Sequence, residues 1–186
     1  MPPRIEPADP QADEKAAGVL AAMTKAIGLA EPLQLFTVVA RHPELAAALT
    51  EPTTLLIQGA RTDRAERELV ILRTCALADC RTEWGIHATA LLTAGLLTED
   101  RLDATWSGAD PGWTDRERLA LDLAESLHRT ADLDDDLWRR CRAVWSDEEA
   151  LELIAAAGHY RLVSLLANAT RVPAEPWARR VPGSAA

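Results

Sequence analysis

Aromatic residues are scarce in this chain of 186 residues: they make up 4% of it, with one Phe and one Tyr beside six Trp. Ala and Leu supply most of the apolar residues instead, and such small and straight-chain residues favour helix over strand. Polar low-complexity segments are also missing, and 48% of the residues are hydrophobic. We therefore expect a folded, all-α protein with a single domain over residues 1–186.

Basic residues are outnumbered, with 20 Lys and Arg against 29 Asp and Glu and a net charge of −9. An acidic protein repels phosphate backbones, so we expect no nucleic-acid partner. No uninterrupted apolar run approaches the roughly 20 residues that span a bilayer, so we expect no membrane partner. Cysteines are few and odd in number, and residues 1–10 lack the apolar core of a signal peptide, which together favour free thiols in a reducing cytoplasm.

Helix start signals recur along the chain. Asp63 with Glu66, Thr114 with Glu117 and Ser146 with Glu149 have capping-box spacing. With Asp9-Pro10 as a first start and the glycines as stops, the pattern predicts helices at about 10–27, 44–49, 53–57, 64–78, 82–94, 99–106, 115–130, 134–144 and 147–170.

Two segments need separate interpretation. The run Leu69-Val70-Ile71-Leu72 could be a buried strand by itself, but it lies inside a capped segment with flanking charges, which favours helix. The tail over 173–186 is rich in proline, and we expect it to lie on the surface of its own or a neighbouring subunit.

The residues best suited to chemistry lie between 68 and 87. Glu83 and His87 are four residues apart, so on a helix they share one face. Cys80 lies three residues before Glu83, at the predicted start of that helix, where a thiol tends to have a lowered pKa. A thiol, a carboxylate and an imidazole would then converge within one or two turns.

Glu68 belongs to the preceding helix, and it shares a face with Leu72 and Cys75. A carboxylate on a face built for burial is costly unless it is paired or has a function, and His87 is its natural partner across a short turn. An ordinary surface pair of Glu83 with His87 remains open at this point.

The segments R-E-L-V-I-L-R at 67–73 and C-x-x-E-W-x-x-H at 80–87 resemble the carboxymuconolactone decarboxylase family, a branch of the alkylhydroperoxidase D-like superfamily. The resemblance extends to Ala40-Arg41-His42-Pro43 and to Gly158-His159-Tyr160-Arg161, and it covers about 35–172 as the family's core. It implies an alkylhydroperoxidase D-like helical bundle that forms a homo-oligomer, a trimer or a hexamer.

The resemblance also implies site roles. Glu68 matches the family's proton-relay glutamate, His87 matches the histidine that closes the relay, and Cys80 matches the first cysteine of the peroxidase branch's C-x-x-C. Glu83 stands where that motif has its second cysteine, which favours the decarboxylase side of the family. For Cys80 we expect a pocket-lining role before a nucleophilic one.

Four further residues are candidates for substrate binding. Arg73 could hold a substrate carboxylate or enolate oxygen, although a salt bridge to Glu68 or a neighbour is an equal alternative. Trp84 lies within the motif, so of the six tryptophans it is the one we expect to contact a ligand. His159 and Tyr160 could face the pocket, and packing is the main alternative for both.

We expect a lyase that acts without a cofactor or metal: a decarboxylase-type enzyme performing proton-transfer chemistry on a small conjugated carboxylic acid or lactone. One alternative is a thiol-dependent peroxidase or reductase of the alkylhydroperoxidase D-like type. The other is a non-catalytic small-molecule binding or scaffold protein, since one fold hosts several functions.

Overall fold

The structure is a computed structural model that describes residues 2–184. In that part of the chain all regular structure is helical and no strand occurs, which confirms the all-α prediction. The helices are α1 (Glu14–Ala26), α2 (Gln34–Val39), α3 (Pro43–Thr54), α4 (Arg64–Leu77), α5 (Arg81–Thr93), α6 (Glu99–Ser107), α7 (Asp115–Thr130), α8 (Asp135–Arg142) and α9 (Asp147–Thr170).

The described residues divide into two compact units. The first contains the chain up to Ala60 together with Leu166–Glu175, and the second contains Arg61–Leu165 together with the described residues from Pro176 onward. The single domain over 1–186 stays a prediction.

The first unit is built from α1, α2 and α3, which pack against one another. The predicted start of α1 is four residues early: Asp9 caps only a turn through Gln11, and Asp13 is the residue whose side chain accepts from the backbone N–H groups of Lys15 and Ala16. Gly28 follows the end of α1 with a φ of 70°, as its predicted role as a stop requires.

The two short helices predicted at 44–49 and 53–57 are one element. α3 runs on through Pro52 to Thr54, and a π-helical turn, Leu55–Gly59, continues it. Pro52 has no N–H to donate, but the hydroxyls of Thr50, Thr53 and Thr54 donate to carbonyl oxygens four residues earlier. α3 nevertheless continues through the proline to Thr54.

The second unit is arranged around α4, which packs against α5, α6 and α7. The run Leu69-Val70-Ile71-Leu72 is helical and almost fully buried, so every face of this turn of α4 meets another part of the protein. A helix surrounded by neighbours is apolar all round, which explains why the run resembled a buried strand.

The predicted N-terminal caps are largely confirmed. Thr114 and Glu117 form a complete capping box, and the side chain of Asp63 accepts from two backbone N–H groups at the start of α4. At the start of α6, for which no capping box was predicted, the side chain of Thr98 makes no cap bond. Reliable caps fix where α4 and α7 begin, and therefore which of their residues face each other.

The tail from Pro176 lies along α5 of its own chain. The backbone N–H of Arg179 donates to Oγ1 of Thr89 at 2.7 Å and to the carbonyl oxygen of Gly85 at 3.3 Å. A Cβ atom at residue 85 would overlap the carbonyl oxygen of Arg179, so this close approach requires glycine.

α9 is the one helix within residues 2–184 that is long and apolar enough, by length and composition alone, to cross a membrane. Of its most apolar window, 44% is buried inside the protein. Core helices of ordinary globular proteins pass the same test, so this is weak evidence for a membrane span.

Candidate functional site

A tight turn between α4 and α5 brings the predicted site residues together. Asp79 has a φ of 49°, a left-handed conformation that Asp tolerates better than most residues. The backbone N–H of Cys80 then donates to the carbonyl oxygen of Cys75 at 2.8 Å. The chain turns back within a few residues, so α5 returns along α4 and places its side chains against those of α4.

Glu68 and His87 form a buried ion pair across this hairpin. Nδ1 of His87 lies 2.7 Å from Oε2 of Glu68, and both side chains are 11% exposed. The contact predicted between Glu68 and His87 is therefore present. The alternative, an isolated surface pair of Glu83 with His87, is not what the structure shows.

The pair controls the proton affinity of both groups. Burial alone would lower the pKa of His87, but the charge and hydrogen bond of Glu68 raise it above its ordinary value. Burial alone would raise the pKa of Glu68, but His87 and nearby arginines lower it. The geometry thus favours imidazolium beside carboxylate, with Nδ1–H donating to Glu68.

Tyr160 on α9 packs against the imidazole ring of His87. Its ring meets the His87 ring edge-on, with 4.8 Å between centroids, and His159 packs edge-on against Tyr160 at 5.4 Å. Tyr160 is buried, and burial followed by the charge of Glu68 raises its pKa well above the ordinary value. Tyr160 is therefore a neutral phenol that holds the imidazole ring in place.

Glu83 is buried on α5, one turn before His87. Its charge contributes to the raised pKa of His87 and also raises the pKa of Cys80. The structure thus gathers Glu68, Glu83 and His87 in one electrostatically connected group, as the sequence predicted.

Cys80 is the N-cap residue of α5, but its thiol does not have the lowered pKa expected at a helix start. Burial, followed by the charge of Glu83, raises its pKa to about 11, and backbone N–H groups offset only part of this. Desolvation outweighs the helix terminus here because Cys80 is fully buried. That expectation from the sequence was wrong, and the thiol is protonated at neutral pH.

Two residues beside Cys80 carried no assignment from the sequence. Cys75 is fully buried on α4, and Oγ of Ser164 donates to its sulfur at 3.8 Å. Ser164 also hydrogen-bonds the Cys80 thiol. The available signal was the spacing of Tyr160 and Ser164, which are four apart and therefore share a face of α9.

Arg73 takes part in a structural contact. Its Nε lies 2.9 Å from Oε1 of Glu125, and its Nη1 donates to the carbonyl oxygen of Thr105 at 3.1 Å, near the end of α6. The structure therefore shows the salt-bridge alternative, with Glu125 rather than Glu68 as partner. A role for Arg73 in substrate binding stays a prediction.

Trp84 packs away toward α6. Its Nε1 donates to Oγ1 of Thr105 at 2.9 Å, and its ring meets Trp106 edge-on at 5.6 Å between centroids. Trp84 is fully buried by these contacts. Ligand contact by Trp84 also stays a prediction, and the observed contacts are those of a core anchor.

Arg67 is a buried cation that the sequence analysis assigned no role. Its Nη1 donates to the carbonyl oxygen and hydroxyl of Thr62, and its charge helps to lower the pKa of Glu68.

Within residues 2–184, no group of three or more His, Cys, Asp and Glu side chains is placed to hold a metal ion.

The fold and the site together define a class of protein: a helical bundle in which a hairpin pairs a buried glutamate with a histidine, next to a cysteine at the start of the second helix. Residues 43–126 match the model of the carboxymuconolactone decarboxylase family. The similarity to this family therefore extends over 84 of the 186 residues, those from the start of α3 into α7. No protein of curated function matches the chain in sequence.

Several solved structures share the fold. An alkylhydroperoxidase AhpD core protein from Ralstonia eutropha, described as peroxidase-related, has a TM-score of 0.80 and 17% identity, over 95% of this chain and 94% of that one. The debrominase Bmp8 has a TM-score of 0.73 and 17% identity, over 92% and 91%. A protein of unknown function from Agrobacterium tumefaciens has a TM-score of 0.68 and 21% identity, over 74% and 94%. At these identities the likeness shows the fold alone.

Proposed function

We propose that this protein is a decarboxylase-type lyase that acts without a cofactor, by proton transfer, on a small conjugated carboxylic acid or lactone. The observation that carries the proposal is the buried ion pair of Glu68 and His87 at 2.7 Å. A histidine whose pKa is raised above its ordinary value keeps its proton to a higher pH, which suits a proton donor.

The proposed reaction needs only this pair and the substrate's own conjugation. The bond from the substrate to its carboxylate breaks, CO₂ leaves, and the electron pair delocalises into a conjugated carbonyl as an enolate. Nε2–H of His87 then protonates the carbanionic carbon, and a proton from solvent restores the imidazolium. Glu68 keeps Nδ1 protonated throughout and stabilises the charged ring, while Tyr160 keeps the ring oriented.

A thiol-dependent peroxidase is the weaker candidate. Superfamily relatives are described as peroxidase-related or as a debrominase, so this fold serves more than one chemistry. Peroxide attack requires a thiolate, and the pKa of about 11 at Cys80 opposes it.

We also propose a cytoplasmic location, on the ground that Cys75, Cys80 and Cys141 are all free thiols.

The experiment that tests the proposal measures CO₂ release and the ultraviolet change with γ-carboxymuconolactone and related conjugated acids. We expect turnover by the wild type, with a loss of about 100-fold or more in kcat in His87→Gln, because general acid catalysis typically contributes that much. His128→Gln is the matched control, since His128 bonds Arg161 and lies outside the site.

The same preparations discriminate the alternatives. Peroxide consumption by the wild type that disappears in Cys80→Ser, without decarboxylation of any acid tested, would establish the thiol peroxidase instead. Ligand binding that is unchanged in both His87→Gln and Glu68→Gln, with no turnover, would support a non-catalytic binding protein.

A further inference from the structure

The turn between α4 and α5 brings two thiols together, those of Cys75 and Cys80. The backbone N–H of Cys80 donates to the carbonyl oxygen of Cys75 at 2.8 Å, and that of Asp79 donates to the carbonyl oxygen of Ala76 at 3.0 Å. Asp79 is in the left-handed region, with a φ of 49°. These two hydrogen bonds and the left-handed residue between them define a Schellman motif, in which the side chains at the two ends of the turn commonly come into contact. Here both of those side chains are cysteines.

The hydroxyl of Ser164 on α9 links the two sulfurs. Its Oγ donates to Sγ of Cys75 at 3.8 Å, and it also hydrogen-bonds the thiol of Cys80. Burial, followed by the charge of Cys80, raises the pKa of Cys75, so the two thiols also interact electrostatically. Two sulfurs that share one hydroxyl and face each other across one turn lie side by side.

This arrangement meets the main requirement of a disulfide. Both cysteines are fully buried and both are free thiols. A disulfide requires two Cβ atoms that face each other across a short gap, without movement of the backbone. The turn already holds the side chains of Cys75 and Cys80 in this relation, so neither helix has to shift for the bond to form.

We propose that Cys75 and Cys80 are a dithiol that a hydroperoxide oxidises to an intramolecular disulfide, which ties the end of α4 to the start of α5. The sulfur of Cys80 attacks a peroxide oxygen, the O–O bond breaks, and the departing alcohol or water takes the thiol proton. Cys80 is then a sulfenic acid. The sulfur of Cys75 attacks that of Cys80, the S–O bond breaks, and the hydroxyl leaves as water with the proton of Cys75. The two thiols lose two electrons, and the peroxide gains them.

Cys80 reacts first because it lies at the start of α5. Burial raises its pKa to about 11, but backbone N–H groups of Thr82 and Glu83 stabilise its thiolate in part. At pH 8 this pKa leaves about one thiol in a thousand ionised, so the oxidation takes hours. It is a modification that consumes a single peroxide per chain and differs from the turnover of a peroxidase. It also does not depend on the proposed lyase activity.

The test is mass spectrometry of the wild-type protein after overnight incubation with millimolar hydrogen peroxide at pH 8, followed by alkylation in denaturant. Trypsin cleaves after Arg73 and Arg81, so both thiols lie in one peptide, residues 74–81. We expect this peptide to lose two hydrogen atoms and to escape alkylation. Dithiothreitol should restore both thiols, because it reduces a disulfide but not a sulfinic acid.

Cys141 is the internal control. It is also fully buried, and burial likewise raises its pKa to about 11, but it lies on α8, outside the pair. A thiol without a partner should gain oxygen atoms rather than form a disulfide. Cys75→Ser, with its fold checked by circular dichroism, should make Cys80 behave in the same way.

Three results with the wild type would overturn the proposal, and none of them requires a variant that folds. One is a peptide 74–81 in which Cys80 has gained oxygen while Cys75 is still alkylated. The second is a disulfide from this peptide to Cys141 or to another chain. The third is a peptide 74–81 that keeps both thiols after the incubation.

Discussion

Replacing Glu68 by Gln should move the pKa of His87 from above to below its ordinary value of about 6.5. In the wild type, the charge and hydrogen bond of Glu68 outweigh the burial of His87. Gln keeps the size of the side chain and one hydrogen-bond acceptor but removes the charge. Burial, the largest single influence on His87, then acts almost unopposed.

The expected magnitude follows from the contact. The two groups are 2.7 Å apart and both side chains are 11% exposed, so water screens the attraction only partly. An opposite charge at this range typically shifts a pKa by about one to three units, which is about 1.4–4 kcal/mol. We expect a decrease in the pKa of His87 within that range.

The assay is a pH titration of the histidine ring resonances by NMR, with His87 assigned from the spectrum of His87→Gln. Glu83→Gln is the control: Glu83 also raises the pKa of His87, but less than Glu68 does, so its decrease should be smaller. A pKa for His87 that stays above its ordinary value in Glu68→Gln would refute the reasoning, because the raised pKa would then have another source.

The same pair predicts a pH window for stability. Because folding raises the pKa of His87, its protonation stabilises the folded state fully below the unfolded pKa of about 6.5, and this stabilisation is lost as the pH rises through the folded pKa. Because folding lowers the pKa of Glu68, its ionisation stabilises the folded state fully above the unfolded pKa of about 4.3, and this stabilisation is lost as the pH falls through the folded pKa. Urea unfolding should therefore show the largest gap between the wild type and Glu68→Gln between about pH 4.3 and 6.5.

Three further changes test other parts of the structure. Gly85→Ala should lower the free energy of unfolding by about 1–3 kcal/mol, because the added Cβ atom would meet the carbonyl oxygen of Arg179. Gly18→Ala is the control: residue 18 has open space around it, so this change should raise the free energy of unfolding by about 0.5–1 kcal/mol. Equal urea midpoints for the two variants would contradict this reasoning. Iodoacetamide should modify Cys80 far more slowly in native than in unfolded protein at pH 8, since its pKa is about 11; fast native modification would show a thiolate. Thr114→Ala should cost about 1 kcal/mol in urea unfolding through its lost capping box, and an unchanged midpoint would show that the box adds nothing.

Most helices could be predicted because their causes are local. The side chain of Asp63 meets N–H groups two and three residues away, and the Thr114 capping box closes within three, so neither depends on distant packing. The prediction failed at α3, because the helices predicted separately at 44–49 and 53–57 are one element that continues through Pro52 to Thr54 and into the π-helical turn.

The sequence by itself determined the helical class and the hairpin that brings Glu68 to His87, because hydrophobic spacing, caps and a short turn act over a few residues. The tertiary structure alone decided the state of each site group. Burial raises the pKa of Cys80 despite its place at a helix start, Glu125 engages Arg73, and Tyr160 packs on His87 from a helix 73 positions further along the chain. Desolvation and ion pairing depend on what surrounds a group in space, and distant segments of the chain supply those surroundings.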